Sequence, residues 1–154
     1  MNFTRNVEDY LEAIYNITQT QGFAQTKEIA NNLRVTPPSV SGMLKKLKRL
    51  GLINYQKYSP VTLTPKGEQI AKKIQEEHTT IKCLLELLSV PKNIADQDAC
   101  TIEHNLHKTT INQLRKFVTF IHSFPSKPKW LECFQKFCKD EKSIDFNSCS
   151  CISP

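Results

Sequence analysis

Between residues 26 and 64 the chain carries so many local stops that its backbone has few ways to fold. Thr26-Lys27-Glu28-Ile29-Ala30 opens a short helix, with Thr26 in the position of an N-cap, and the helix closes near Leu33-Arg34-Val35. Thr36-Pro37-Pro38 makes the turn, and prolines are tolerated where the next helix starts because its first turn has no amide partners to lose. Residues 39–50 form that helix and Gly51 stops it. Two β-prone runs follow, Leu52-Ile53-Asn54-Tyr55 and Val61-Thr62-Leu63-Thr64, separated by residues 56–60 in the pattern of a hairpin. Helix, turn, helix and hairpin in this order spell a winged helix-turn-helix.

The flanks read as helices. In residues 6–19 the apolar positions Val7, Tyr10, Leu11, Ile14 and Tyr15 recur at helical spacing, and Gly22 ends the segment. Thr64-Pro65-Lys66-Gly67-Glu68 restarts a helix with Thr64 as N-cap, and the period continues to about Ser89. Pro91 breaks it. Residues 93–106 and 109–120 read as further helices, 123–129 as a connector and 130–139 as a last short helix. The expected class is mainly α: a winged helix-turn-helix DNA-binding domain over residues 1–73, an all-helical domain over 74–139, and a polar, cysteine-containing tail over 140–154 that is mobile or ordered by metal.

Charge divides the same way. Residues 1–73 hold 11 Lys and Arg against 5 Asp and Glu, whereas residues 74–154 hold 10 against 10, so all of the net +6 lies in the first part. Such an imbalance is the footprint of a nucleic-acid-binding half joined to a neutral half with another task. The second helix of the turn motif carries Lys45, Lys46, Lys48 and Arg49, with Ser39 and Ser41 near its start. Cations along the flank neutralise phosphates, and short side chains at the N-terminal end let a helix sit deep in the major groove. Thr26, Thr36 and Pro38 frame this helix-turn-helix, and Lys57 and Tyr58 at the hairpin tip add contacts to the backbone or minor groove. Pro38 and Gly42 offer little hydrogen bonding to bases, so DNA shape carries much of the specificity.

In the second half, Cys100-Thr101-Ile102-Glu103-His104 stacks a thiol, a carboxylate and an imidazole on one helical face, since positions i, i+3 and i+4 are neighbours there. Three such donors can converge on one divalent cation. Asp9 and Glu12 repeat the three-residue spacing near the N-terminus. With a DNA-binding unit in the same chain, the coupling is metal to DNA. No nucleophile and base pair stands out, and among four glycines there is no phosphate-cradling loop, so an enzyme is not expected. No apolar run reaches the roughly 20 residues of a membrane span and no signal core precedes Tyr10, so the expected location is the cytoplasm, without membrane contact. The cysteines are then expected as thiols.

Val7-Glu8-Asp9-Tyr10-Leu11-Glu12-Ala13-Ile14-Tyr15, Pro37-Pro38-Ser39-Val40, Val61-Thr62-Leu63-Thr64-Pro65-Lys66-Gly67 and Ile102-Glu103-His104, in this order, resemble the diphtheria-toxin-repressor family of iron- and manganese-dependent repressors. The resemblance covers residues from about 6 to 120 and is to the short, two-domain form. It implies a winged helix followed by a helical metal-binding and dimerisation domain, a homodimer on a palindromic operator in double-stranded DNA, and control of metal-ion homeostasis genes. It also implies six ligands: Asp9, Glu12, His78, Cys100, Glu103 and His104. The set is a hybrid, with Asp9 as in manganese-type members and Cys100 as in iron-type members. The thiolate leans the expectation to Fe(II), with Mn(II) close behind and Zn(II) or Co(II) binding in vitro. Lys82 and Asp96 stand where iron-type members build an ancillary site, and Lys82 is a cation that cannot ligate, so that site is not expected.

Two other readings compete: a metal-independent winged-helix regulator, which would leave the ligands idle, and a metal-buffering module that does not bind DNA, against which the cation run argues. Cys133, Cys138, Cys149 and Cys151 have spacings unlike paired zinc knuckles and are read as reduced thiols of a flexible end. Phe117, Phe120, Phe124, Trp130, Phe134 and Phe137 are read as core or dimer contacts.

Overall fold

The structure, a computed structural model, describes residues 3–140 and divides into two compact units at Glu76/Glu77. Seven α-helices and one two-stranded sheet make up the described residues, in the order α1 (Arg5–Gln21), α2 (Thr26–Leu33), α3 (Pro37–Arg49), β1 (Ile53–Asn54), β2 (Thr62–Leu63), α4 (Pro65–Leu87), α5 (Lys92–Ile102), α6 (Lys108–His122) and α7 (Lys129–Phe137). The mainly helical class, with a winged helix-turn-helix first, is what the punctuation implied. Cys149 and Cys151, with nearly all of the 140–154 tail, lie outside the described residues.

In the first unit α1, α2 and α3 close over a core of Leu11, Ile14, Ile29, Leu44, Leu47 and Leu52, all fully buried. Gly22 ends α1 at φ 81°, and its N–H donates to Thr18 O at 2.8 Å. At the start of α2 the cap is Gln25 rather than Thr26, which is the first helical residue; Glu28 reaches back to accept the Gln25 N–H at 2.8 Å. Sequence favoured Thr26 because threonine caps well, but the reach of Glu28 decides the register of the first turn. Arg34 adopts the left-handed conformation (φ 55°) that lets the chain turn into α3, which starts at Pro37, two residues earlier than expected.

Gly51, at φ 71°, releases the chain into the wing. The strands pair antiparallel, Ile53 with Leu63 and Asn54 with Thr62, and are shorter than the β-prone runs suggested. A bridge between Ala24 and Val61, with both N–H···O distances 2.8 Å, ties the hairpin to the segment before α2. Thr64 caps α4 as expected: its hydroxyl accepts the Gly67 N–H at 3.1 Å and donates to Gly51 O at 2.7 Å.

The second unit comprises the latter part of α4 with α5, α6 and α7. Ile81, Ala95, Ala99, Ile111, Val118, Ile121 and Leu131 are its buried apolar residues. Ser89 takes φ 67° in the turn after α4. Gln135 of α7 donates to Leu87 O at 3.3 Å.

Candidate metal centre and nucleic-acid interface

The α-helix carrying Cys100 ends at Ile102, and Glu103–Asn105 form a 3₁₀ turn. Residues 93–106 are therefore not one α-helix, as the periodicity suggested, because periodicity does not register a tightening of the last turn. The tightening leaves the expected cluster intact: one donor atom each from Cys100, Glu103 and His104 lies within 4.8 Å of the others. His78, on α4, joins them, with Nδ1 2.9 Å from Glu103 Oε2. His104 Nε2 lies 3.3 Å from Glu103 Oε1. The Glu103 side chain is 2% exposed and that of His104 4%. A carboxylate buried to this degree is costly unless opposite charge or donors surround it. An imidazole, a thiol and a carboxylate within this reach, with a second imidazole against the carboxylate, suit a borderline divalent cation, so the residues fit the ion that the resemblance implies.

The other side of His78 faces a second carboxylate. Its Nε2 is 3.4 Å from Asp96 Oδ1, and the same oxygen accepts a hydrogen bond from Lys82 Nζ. The Lys82 ammonium, with a smaller contribution from His78, holds the Asp96 carboxyl below its ordinary range, and Asp96 in turn keeps Lys82 protonated. Asp96 was noted in the sequence only as a departure from a family pattern. Its place beside His78 has no local signature, since 18 residues separate the two. Burial pushes the Cys83 thiol up, which keeps it from acting as a thiolate.

Asp9 and Glu12 lie three residues apart on α1 in the first unit, and both are half-buried there. The outlying cysteines differ from the cluster: Cys133 is half-buried on α7, and Cys138, at the end of that helix, is exposed. Of the six aromatic residues singled out, Phe117, Phe120, Phe124 and Trp130 are exposed while Phe134 and Phe137 are half-buried. Phe120 and Phe124 meet edge to face at 5.0 Å.

On α3, Val40, Leu44 and Leu47 point into the core. At roughly 100° per residue the opposite face then carries Pro38, Gly42, Lys45 and Arg49, flanked by Ser39 and Lys46 on one side and Ser41 and Lys48 on the other. All of these are exposed except Ser41, which is half-buried. Thr36, ahead of the helix, is exposed, and its hydroxyl is 3.0 Å from that of Ser39. Thr26 is half-buried on α2. At the wing tip Lys57 Nζ sits 4.8 Å over the Tyr58 ring, and Tyr58 is 93% exposed at φ 69°. A bulky residue held at positive φ, with only the Lys57 ammonium over its ring and almost all of its surface exposed, is poised for an external contact.

Among the described residues no helix is long and apolar enough to cross a membrane. Comparison with known proteins gives a consistent answer. Residues 2–61 match the family described as "Iron dependent repressor, N-terminal DNA binding domain", and residues 64–131 match "Iron dependent repressor, metal binding and dimerisation domain". The chain is 34% identical over 132 residues to the HTH-type transcriptional regulator MntR of Listeria monocytogenes serotype 4a (strain HCC23), covering 86% of this chain and 93% of that protein. Among solved structures it is similar to the metal-dependent transcriptional regulator MtsR, with a TM-score of 0.68 and 31% identity over 77% of this chain and 55% of that one. The manganese regulator SloR gives a TM-score of 0.64 and 28% identity over 84% of this chain and 56% of that one, so the chain spans about half the length of either solved structure. The chain therefore belongs to the iron-dependent repressor family, whose members are metal-dependent transcriptional regulators rather than enzymes, built from a DNA-binding domain followed by a metal-binding and dimerisation domain.

Proposed function

We propose that this protein is a homodimeric repressor of metal-ion homeostasis genes that senses Fe(II) or Mn(II), with residues 1–73 reading a palindromic operator and residues 74–139 binding metal and dimerising. The observation that carries the reading is the convergence of Cys100, Glu103 and His104 within the second unit, with the buried His78 imidazole against Glu103, a donor set with no structural need for so much ligating chemistry. Asp9 and Glu12 complete the ligand set in this proposal. The support for them is their spacing on α1 and the family pattern they match. Cys100 favours Fe(II) over Mn(II), because thiolate affinity rises along the series from Mn(II) to the later metals; the similarity to a manganese regulator keeps Mn(II) as the other physiological choice.

Recognition falls to α3. Ser39 and Ser41 with Pro38 lie at its N-terminal end for base edges, Lys45, Lys46, Lys48 and Arg49 neutralise phosphates, Thr26 and Thr36 fix the backbone register, and Lys57 and Tyr58 extend the footprint from the wing. Asp9, Glu12 and Glu103 are carboxylates that repel one another when brought together. A bound divalent cation supplies the charge that makes their convergence favourable. The residues thus bias the chain toward one arrangement of its DNA-reading helices, and operator affinity rises without metal touching DNA.

The test is anaerobic binding of the reduced protein to fluorescent fragments of its own genome at fixed salt, with chelator and then with Fe(II), Mn(II) and Zn(II) in turn. Coupling of ordinary size predicts about 5–150-fold tighter operator binding with the cognate ion. Equal affinity with chelator and with each metal would refute the proposal.

A further inference from the structure

Both ring nitrogens of His78 face carboxylates, Nδ1 towards Glu103 and Nε2 towards Asp96, and this arrangement bears on which nitrogen would meet metal. A neutral imidazole has one N–H and one lone pair, and only the lone pair ligates. Glu103 belongs with Cys100 and His104, so a metal held by these three would meet His78 on the Nδ1 side of the ring. The lone pair must then sit on Nδ1 and the proton on Nε2, which needs an acceptor there. Asp96 Oδ1, 3.4 Å away, is that acceptor.

Asp96 alone would hold the ring loosely, because its side chain is 54% exposed and free to hydrate. Lys82 corrects this. It lies one turn after His78 on the same face of α4, and its ammonium donates to the very oxygen that His78 uses. The pair is neutral overall, so it orients the imidazole without adding net charge to the site. Lys82 itself has three donors and no acceptor and cannot bind metal.

We propose that Lys82 and Asp96 are positioning residues for the metal centre: Lys82 clamps Asp96, and Asp96 takes the Nε2 proton of His78, presenting Nδ1 as the ligating nitrogen. The proposal rests on the metal-sensing reading above. An outer carboxylate on a ligating histidine fixes its tautomer and raises its basicity, and loss of such a partner costs about 10–100-fold in metal affinity.

The experiment uses the full chain, wild type and three variants, Asp96→Ala, Asp96→Asn and Lys82→Met, each checked for native helicity. Mn(II) and Co(II) affinities are read by competition with a chromophoric chelator, and the His78 tautomer by ¹⁵N NMR of the Zn(II)-loaded protein. Asp96→Ala should weaken metal binding about 10–100-fold, Lys82→Met by less, and Asp96→Asn, which keeps an acceptor oxygen, should recover part of the loss. Wild-type His78 should show a protonated Nε2 and a metal-bound Nδ1. Unchanged affinity in Asp96→Ala, or a wild-type ring bound through Nε2, would overturn the positioning role while leaving metal sensing intact. A wild-type protein that takes up no divalent ion at all would instead overturn the metal reading and this proposal with it.

Discussion

Gly67 gives the sharpest test of how the DNA-binding unit is built. It lies in the first turn of α4, and a Cβ placed on it would stand 1.9 Å from Leu52 O and 2.8 Å from Leu52 C. To reach ordinary contact at 3.4 Å, that oxygen must withdraw by 1.5 Å (3.4 − 1.9). It cannot do so freely, because it accepts the Thr64 N–H at 3.0 Å and leads directly into β1. Gly67→Ala therefore loses a backbone hydrogen bond, about 1 kcal/mol, and forces a shift of packed backbone, about 1–3 kcal/mol. The gain from replacing a helical glycine offsets at most about 1 kcal/mol. A net loss of about 2 kcal/mol corresponds to a fall in Tm of about 4–8 °C for a chain of this length. Circular dichroism of the chelator-treated protein reads the Tm, and anisotropy reads operator binding, which should weaken because Leu52 sets the entry to the wing. The Co(II)–thiolate absorption from Cys100 should persist, as that residue belongs to the other unit. A Tm within about 1 °C of wild type, with unaltered DNA affinity, would refute the steric reasoning.

Three further predictions concern charge and chemistry. Lys45→Ala and Arg49→Ala should each lower the slope of log K against log[salt] by about 0.9 if the residue neutralises one phosphate, whereas Ser39→Ala should leave the slope alone and change discrimination between operators; a slope unmoved by both cation variants would remove α3 from the interface. Cys100→Ser should abolish the Co(II)–thiolate band and narrow the preference for Fe(II) over Mn(II), seen in competition titrations; an unchanged ranking would show that the thiolate does not set it. Hydrogen bonds from the Gln21 side chain, chiefly, and the Gln25 N–H hold the Glu28 carboxyl below its ordinary value. Its contribution to stability is therefore present above the ordinary carboxylate pKa and lost as pH falls through the lowered one. Glu28→Gln should weaken the dependence of stability on pH in that acid window only; an NMR titration placing Glu28 at or above its ordinary value would contradict this.

Much of the first unit was readable because its determinants are local. Pro37 and Pro38, Gly51, and the Thr64-Pro65 pair act through a few neighbouring dihedrals, so the order helix, turn, helix, hairpin and helix followed without knowledge of contacts. Thr26 misled at the level of one residue, since whether Gln25 or Thr26 caps α2 depends on where the Glu28 carboxylate reaches. The wing was predicted longer than it is. Pairing requires partners, and only Ile53–Asn54 and Thr62–Leu63 find them, while Val61 is taken by Ala24 from far earlier in the chain.

For the metal cluster, the sequence by itself determined which side chains share a face: Cys100 and Glu103 come together whether the last turn is α or 3₁₀, because both conformations place residues three apart on one side, and His104 follows Glu103 directly. It also determined that the excess positive charge lies in the first half, and the cation stripe of α3. Only the tertiary structure decided that His78 meets Glu103 through Nδ1, that Asp96 and Lys82 close over its other nitrogen, and that Gly67 must be bare against Leu52. These are contacts between elements far apart along the chain, set by how whole helices pack, and no local pattern of residues encodes the distance between two atoms that the chain brings together only when its core closes.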